Sequence, residues 1–178
     1  MVSWKLYEEE WIKCNTDGAS KGDPGQSTYG FYSKNNEGNL IYAEAHNIGV
    51  ATNMEAKGMA IWKALQFFLI QGYQQETNAL SWRNMLAHNW KILWELLEML
   101  ENIQGIMSQM NTTVKHNFRE ANQLADYIAN LAIDKEEKQQ FQHYNQIPSM
   151  GMKILSIDKH QIPSIRVKTR KIKIINYN

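Results

Sequence analysis

The chain contains little cysteine or proline and has no long apolar run. It has a single cysteine, Cys14, and three prolines among 178 residues. One cysteine excludes an internal disulfide and a cysteine-rich zinc site, and it favours a reducing compartment. No segment approaches the roughly 18 consecutive apolar residues of a membrane helix, and the acidic stretch Glu8–Glu10 argues against a secretory signal. We therefore expect an intracellular protein, nuclear or cytoplasmic, without membrane contact.

The sequence also lacks the short motifs of several enzyme classes. It has no Gly-x-x-x-x-Gly-Lys-Ser/Thr loop, no Gly-x-Ser-x-Gly and no His-Glu-x-x-His. These absences leave P-loop nucleotide hydrolases, serine hydrolases and zinc-dependent proteases without support.

What is present is an ordinary globular composition with an uneven charge distribution. Hydrophobic residues make up 43% of the chain and charged residues 21%, which is typical of a folded domain. The net charge of +1 combines +6 in residues 151–178 with −5 in residues 1–150. A basic tail on an acidic body favours contact with a polyanion, and the alternative is a solvated tail that keeps the chain soluble.

Hydrophobic periodicity predicts three strands followed mainly by helices. The predicted strands cover residues 11–17, 28–34, 39–47 and, later in the chain, 112–116. The predicted helices cover residues 53–70, 79–88, 93–107 and a last segment that begins near Glu120. Asn53 is the expected N-cap of the first helix, and Gly72 is its expected C-terminal stop. This order predicts an α/β fold in which helices cover a mixed sheet.

The first strand ends in a group of polar residues, Asn15-Thr16-Asp17-Gly18. An acidic residue at the end of a central strand can hold a divalent metal at the sheet edge. Asp-Gly is also a common turn pair, so this pattern alone does not decide between a metal site and a turn.

Two motifs in this order resemble the ribonuclease H family. The first is Lys13-Cys14-Asn15-Thr16-Asp17-Gly18-Ala19 with Gly22-Asp23-Pro24-Gly25, and the second is His116-Asn117-Phe118-Arg119-Glu120-Ala121-Asn122-Gln123-Leu124-Ala125-Asp126. The similarity is to plant-type domains, which occur alone or at the end of retroelement polyproteins. It covers about residues 9–135 and leaves residues 136–178 as a basic C-terminal extension.

The resemblance implies a fold and a chemistry. The implied fold is RNase H-like, a five-stranded mixed sheet flanked by helices. The implied reaction is hydrolysis of the RNA strand of an RNA–DNA hybrid, in which four carboxylates hold two Mg²⁺ ions. The implied partner is nucleic acid, recognised by backbone shape and the 2′-OH. We expect the chain to be monomeric.

Two of the four carboxylates have direct matches in this sequence. The resemblance places the first at Asp17 and the fourth at Asp126, and it assigns His116 to proton traffic or product release. The same resemblance assigns Gly18 and Asn122 to contact with nucleic acid. The ordinary alternatives are a charge on the solvent face of the last helix for Asp126 and a structural role for His116.

The position of the second carboxylate holds a lysine. The anchors that follow it in the family match Ala60 and Ala64-Leu65, and counting back from them gives Lys57. Glu55 lies about 200° around the helix from position 57, so it could replace the missing ligand only if the first turn were unwound. The same alignment places Asn53 at a nucleic-acid contact, which is compatible with its expected capping role.

The position of the third carboxylate holds an amide, Asn78. The strand before it is shortened, and residues 72–78 contain no valine or isoleucine. Glu76 lies two residues earlier and would share a face with Asn78 in an extended segment. Glu76 is therefore a displaced substitute for the missing carboxylate.

Two of the four carboxylate positions are thus replaced, one of them by a cation. We expect the Lys57 ammonium to take the place of one metal ion and to pair with Asp17 and Asp126, so that one Mg²⁺ or none binds and hydrolysis is impaired. Two alternatives stay open at this stage. The chain is an active hybrid ribonuclease that uses Glu55 or Glu76 as replacement ligands, or it is a non-catalytic relic or protein-interaction domain.

Overall fold

A computed structural model describes residues 12–73, 75–78, 94–110, 112–115, 121–160 and 162. For residues 75–78 and 113–115 the description is of the backbone. None of the helices in these ranges combines the length and the apolar character needed to cross a membrane.

The described elements begin with three consecutive strands, as predicted, and continue with helices and strands in turn. The strands are β1 Ile12–Gly22, β2 Gly25–Lys34, β3 Leu40–Ala51, β4 Gln75–Asn78, β5 Thr112–Lys115 and β6 Gln139–Phe141. The α-helices are α1 Asn53–Gln71, α2 Leu97–Met107, α3 Gln123–Leu131 and α4 Ser149–Lys159. The helix predicted at 79–88 lies outside the described residues.

The strands form one mixed sheet in the order β5-β4-β1-β2-β3-β6. The strands β1, β2 and β3 form an antiparallel meander, and β4 and β5 extend it in parallel. The predicted mixed sheet flanked by helices is confirmed. The five strands predicted for residues 9–135 are present, and β6, in the extension, pairs antiparallel with residues 43–45 of β3 and adds a sixth.

The shortened strand β4 pairs with the centre of the sheet. Its four residues run parallel to residues 12–15 of β1, so that Asn78 lies opposite Asn15. On its other side β4 pairs with β5 over the same four residues. The carboxyl end of β4 therefore lies beside Asn15 of β1, two residues before Asp17, and ligands bind beyond the carboxyl ends of parallel strands in sheets of this kind.

The N-cap of helix α1 lies one residue earlier than the sequence suggested. Its N-cap is Thr52, whose side chain accepts a hydrogen bond from the backbone N–H of Glu55, while Glu55 reaches back to the Thr52 backbone. This is a capping box. The prediction that Asn53 is the N-cap was wrong, since Asn53 is the first helical residue. Gly72 ends the helix with a positive φ of 71°, as predicted.

The sheet carries a hydrophobic core on each face. On one face α1 packs through Ala60, Ala64 and Phe68 against Tyr29 and Phe31 of β2 and neighbouring strand residues. On the other face α3 and α4 pack against the sheet through the buried residues Leu124, Ala125, Ile128 and Leu155, with Tyr32, Ala43 and Ala45 from the strands.

Both helix layers approach the sheet closely at a glycine. A Cβ at Gly18 of β1 would lie 2.4 Å from the backbone of Ala56 and Lys57 in α1. A Cβ at Gly30 of β2 would lie 2.5 Å from the backbone nitrogen of Ala129 in α3. Glycine is required at both positions because a side chain would push the helix off the sheet.

Residues 136–160 pack on the sheet rather than leaving it. The strand β6 covers part of β3, and α4 packs beside α3. Lys34, at the end of β2, is fully buried and donates to Asp158 of α4 at 2.8 Å. The extension therefore includes two elements that complete the fold.

Candidate functional site

The candidate site lies where β1 passes the first turns of α1. Asp17 follows the part of β1 that pairs with β4, and Gly18 follows it against the backbone of α1. This close approach brings the fifth residue of α1, Lys57, beside Asp17. The Lys57 Nζ lies 3.5 Å from Asp17 Oδ1.

Asp17 is held by contacts on both carboxylate oxygens. Oδ1 accepts a hydrogen bond from the backbone N–H of Gly18 at 2.9 Å, and Oδ2 accepts one from the Asn122 amide at 3.3 Å. Burial raises the pKa of Asp17 above its usual value, although the Lys57 charge and the Gly18 hydrogen bond lower it. The side chain is 15% exposed and that of Lys57 is 42% exposed, so the pair presents mainly its cation to solvent.

Asn122, at the N-cap of α3, joins this helix to β1. Its Nδ2 donates to the backbone carbonyl of Thr16 at 3.1 Å as well as to Asp17. Its Oδ1 accepts from Nδ2 of Asn15 at 3.1 Å. The sequence analysis assigned no role to Asn15. The feature that could have indicated one is its polar side chain in a strand that was expected to be buried.

Asp126 lies in the first turn of α3, one turn after Asn122. Its negative charge contributes to the raised pKa of Asp17. The described part of the site thus contains Asp17, Lys57, Asp126 and Asn122.

Glu55 is engaged in the cap of α1. Its Oε2 accepts hydrogen bonds from the backbone N–H of Thr52 at 2.6 Å and from the Thr52 hydroxyl at 2.7 Å. The first turn of α1 is wound, so the condition under which Glu55 would replace the missing ligand is not met. The backbone N–H of Asn53 donates to Asp23 at 3.0 Å, which ties the β1–β2 hairpin to the start of α1.

For the other predicted site residues, the structure describes only the backbone or does not describe the residue. In β4, Glu76 is opposite Lys13 and Asn78 is opposite Asn15. His116 follows β5 and lies outside the described residues, so its assignment stays a prediction. The nucleic-acid roles assigned to Gly18, Asn53 and Asn122 also stay predictions, beside the structural contacts given above.

The described side chains of the site place the Lys57 ammonium beside the Asp17 carboxylate. Within the ranges that the structure describes, no three Asp, Glu, His or Cys side chains are grouped so as to hold a metal ion. Lys57 adds repulsion, since unit charges about 4 Å apart interact by roughly 4 kcal/mol at an effective dielectric constant near 20. The site therefore contains a fixed cation where the resemblance implies metal ligands.

Comparison with protein families and curated proteins gives two matches. The model of the family described as "Reverse transcriptase-like" matches residues 15–132, from β1 to the end of α3. An Arabidopsis thaliana protein named as a ribonuclease H protein is 26% identical over 137 residues, which cover 75% of this chain and 22% of that protein. The chain thus spans less than a quarter of the length of this relative.

Solved structures of RNase H1 enzymes are similar to this chain. LC11-RNase H1, isolated from compost by a metagenomic approach, is 27% identical with a TM-score of 0.66, covering 71% of this chain and 97% of its own. Its complex with an RNA/DNA hybrid gives 29% identity and a TM-score of 0.64, covering 70% and 97%. RNase H1 of Halobacterium salinarum, at 24% identity and a TM-score of 0.64 over 70% and 98%, shares the fold.

Proposed function

Because the chain belongs to the reverse transcriptase-like family and its domain is RNase H-like, we propose that it binds RNA–DNA hybrids and that its two-metal hydrolysis is impaired. The observation that carries the proposal is the ion pair between Lys57 and Asp17 at 3.5 Å. A lysine beside the first carboxylate neutralises a charge that a divalent cation would need. Hybrid binding is supported by the similarity to LC11-RNase H1, which has been crystallised with an RNA/DNA hybrid.

The arrangement of Glu55 also supports impairment. Its carboxylate is committed to the capping box with Thr52, and moving it toward Asp17 would cost the cap, typically about 1 kcal/mol. Metal affinity through Glu55 would thus have to offset both the lost cap and the repulsion from Lys57. Glu76 remains the second candidate ligand under the alternative that the chain is an active nuclease.

The test is Mg²⁺-dependent cleavage of a labelled RNA–DNA hybrid by the parent chain and by a Lys57→Glu/Asn78→Asp double variant. We expect no cleavage by the parent and measurable cleavage by the double variant. A Lys63→Glu/Asn78→Asp variant is the matched control, because Lys63 lies on the same helix and contacts Gln66 instead. Cleavage by the parent would contradict the proposed impairment. In that case, loss of cleavage in a Glu55→Gln or Glu76→Gln variant would identify the replacement ligand.

Hybrid binding is measured separately by fluorescence anisotropy. We expect the parent to bind the hybrid with an affinity that falls as salt is raised, since phosphate contacts release counterions. Absence of binding at low salt would contradict the proposal and favour the relic or protein-interaction alternative.

A further inference from the structure

The Lys57 side chain has donor capacity that Asp17 does not use. An ammonium group carries three N–H donors, and one is directed at Asp17 Oδ1 at 3.5 Å. The Lys57 side chain is 42% exposed, so it is accessible to solvent where β1 meets α1.

The carboxylate partner, in contrast, is turned into the protein. Both oxygens of Asp17 accept hydrogen bonds from the protein, from the Gly18 backbone and from Asn122. These bonds fix the carboxylate, and the carboxylate in turn holds Lys57 in one place. A held ammonium loses less conformational entropy when it contacts an anion than a free surface lysine does.

We propose that Lys57 contacts a phosphate of the bound nucleic acid directly, so that binding of an RNA–DNA hybrid needs no divalent cation. This inference rests on the proposed hybrid binding. Among the side chains of Asp17, Lys57 and Asp126, the ammonium of Lys57 is the one that attracts phosphate. Because a phosphate contact carries no base information, the contribution of Lys57 is the same for different sequences.

The experiment compares anisotropy of a labelled hybrid in EDTA and in Mg²⁺, with matched variants. We expect the parent to bind with the same affinity in both buffers, within about twofold. Lys57→Met should weaken binding in EDTA by about threefold to tenfold and reduce the slope of log affinity against log salt by about one. Lys63→Met is the control on the same helix and should leave both quantities unchanged.

Two further variants separate contact from folding. Lys57→Arg keeps the charge and should retain most of the affinity, whereas Asp126→Asn removes repulsion and should tighten binding. Loss of affinity in both Lys57→Met and Lys57→Arg would show that the lysine acts structurally and would overturn the inference. Thermal melts of each variant show whether it is folded.

The outcomes distinguish this inference from the proposed function. Binding by the parent only in Mg²⁺ would overturn the role of Lys57 and leave hybrid binding intact. Absence of binding in either buffer would remove the proposed function itself, and with it this inference.

Discussion

The amide of Asn122 donates a hydrogen bond to the carboxylate of Asp17 at 3.3 Å and so connects the start of α3 to the central strand. The connection continues to Asn15, whose amide donates to Asn122 at 3.1 Å. Both asparagines are buried, at 0% exposure for Asn15 and 9% for Asn122. The orientation of Asp17 thus depends on two amides that are shielded from water.

The first prediction concerns this pair of amides. Asn122→Leu should destabilise the fold by about 2 kcal/mol, because the buried amide of Asn15 loses its hydrogen bond to Asn122 and keeps only the Ala121 carbonyl at 3.4 Å. Asn15→Leu/Asn122→Leu should cost less than the sum of the two single changes, since both polar groups of the pair are then removed. Urea unfolding of the three variants measures the coupling, and strict additivity would contradict it.

The second prediction concerns the buried ion pair of Lys34 and Asp158. Asp158→Ala should cost about 3 kcal/mol, because it leaves the fully buried Lys34 without its carboxylate. The double variant Lys34→Met/Asp158→Ala should recover most of this lost stability, because the buried site accommodates an apolar side chain. Thermal melts compare the variants, at about 2–4 °C for each kcal/mol in a chain of this size. Equal melting temperatures for the single and double variants would contradict the prediction.

The third prediction is the pH dependence of the same lysine. Burial lowers the pKa of Lys34 to about 8, although Asp158 raises it in part. The unfolded chain therefore binds more protons than the folded chain above pH 8, so the stability of the parent should rise from pH 7.5 to pH 9.5 relative to Lys34→Met. Below pH 7 the difference between the two should be constant. Parallel stability curves across the whole range would exclude this titration.

The fourth prediction concerns Glu44 of β3. Burial raises its pKa, but the hydroxyls of Tyr42 and Tyr29, the Gln140 amide and the Lys138 charge outweigh burial, and the net pKa lies below the usual 4.5. The stabilisation from this carboxylate is present above pH 4.5 and is lost as the pH falls through the lowered pKa. Glu44→Gln should thus be less stable than the parent at pH 6, and the gap in melting temperature should narrow by pH 3. A gap that is independent of pH would contradict the assignment.

The fifth prediction uses two glycines with opposite surroundings. Gly30→Ala places a Cβ 2.5 Å from the backbone nitrogen of Ala129 and should destabilise by about 3 kcal/mol or more. Gly105→Ala, in the helix α2, meets nothing within 4 Å and should stabilise by about 0.5–1 kcal/mol. Denaturant midpoints of the two variants should move in opposite directions. A shift in the same direction would show that backbone entropy, rather than contact, sets both effects.

The buried face of α1 was predictable because its apolar residues recur at helical spacing. Ala60, Ala64 and Leu65 are buried, and that face carries Lys57 to the sheet edge beside Asp17. The N-cap was misassigned since Thr52 and Asn53 are both good capping residues. Glu55, three residues after Thr52, was the signal that favours Thr52 through the capping box.

The sixth strand was not predictable from local pattern. Gln139–Phe141 contains a single hydrophobic residue, and its pairing with β3 is reinforced by the hydrogen bond from Gln140 to Glu44 at 3.1 Å. Contacts between residues so far apart in the chain leave no periodicity in either segment. For the same reason the sequence did not indicate the role of Asn15, whose hydrogen-bond partner is 107 residues away.

The glycine contacts of the sheet have a consequence for sequence divergence. At Gly18 and Gly30 the distance between helix and sheet is set by backbone atoms, and these glycines lie next to Asp17, one along β1 and one across on β2. Exchanging one aliphatic residue for another in either core changes side-chain volume but does not involve the atoms that make these backbone contacts. Neutral substitutions can therefore accumulate in both cores while the backbone of β1 beside Asp17 stays close to the backbone of α1 at Lys57.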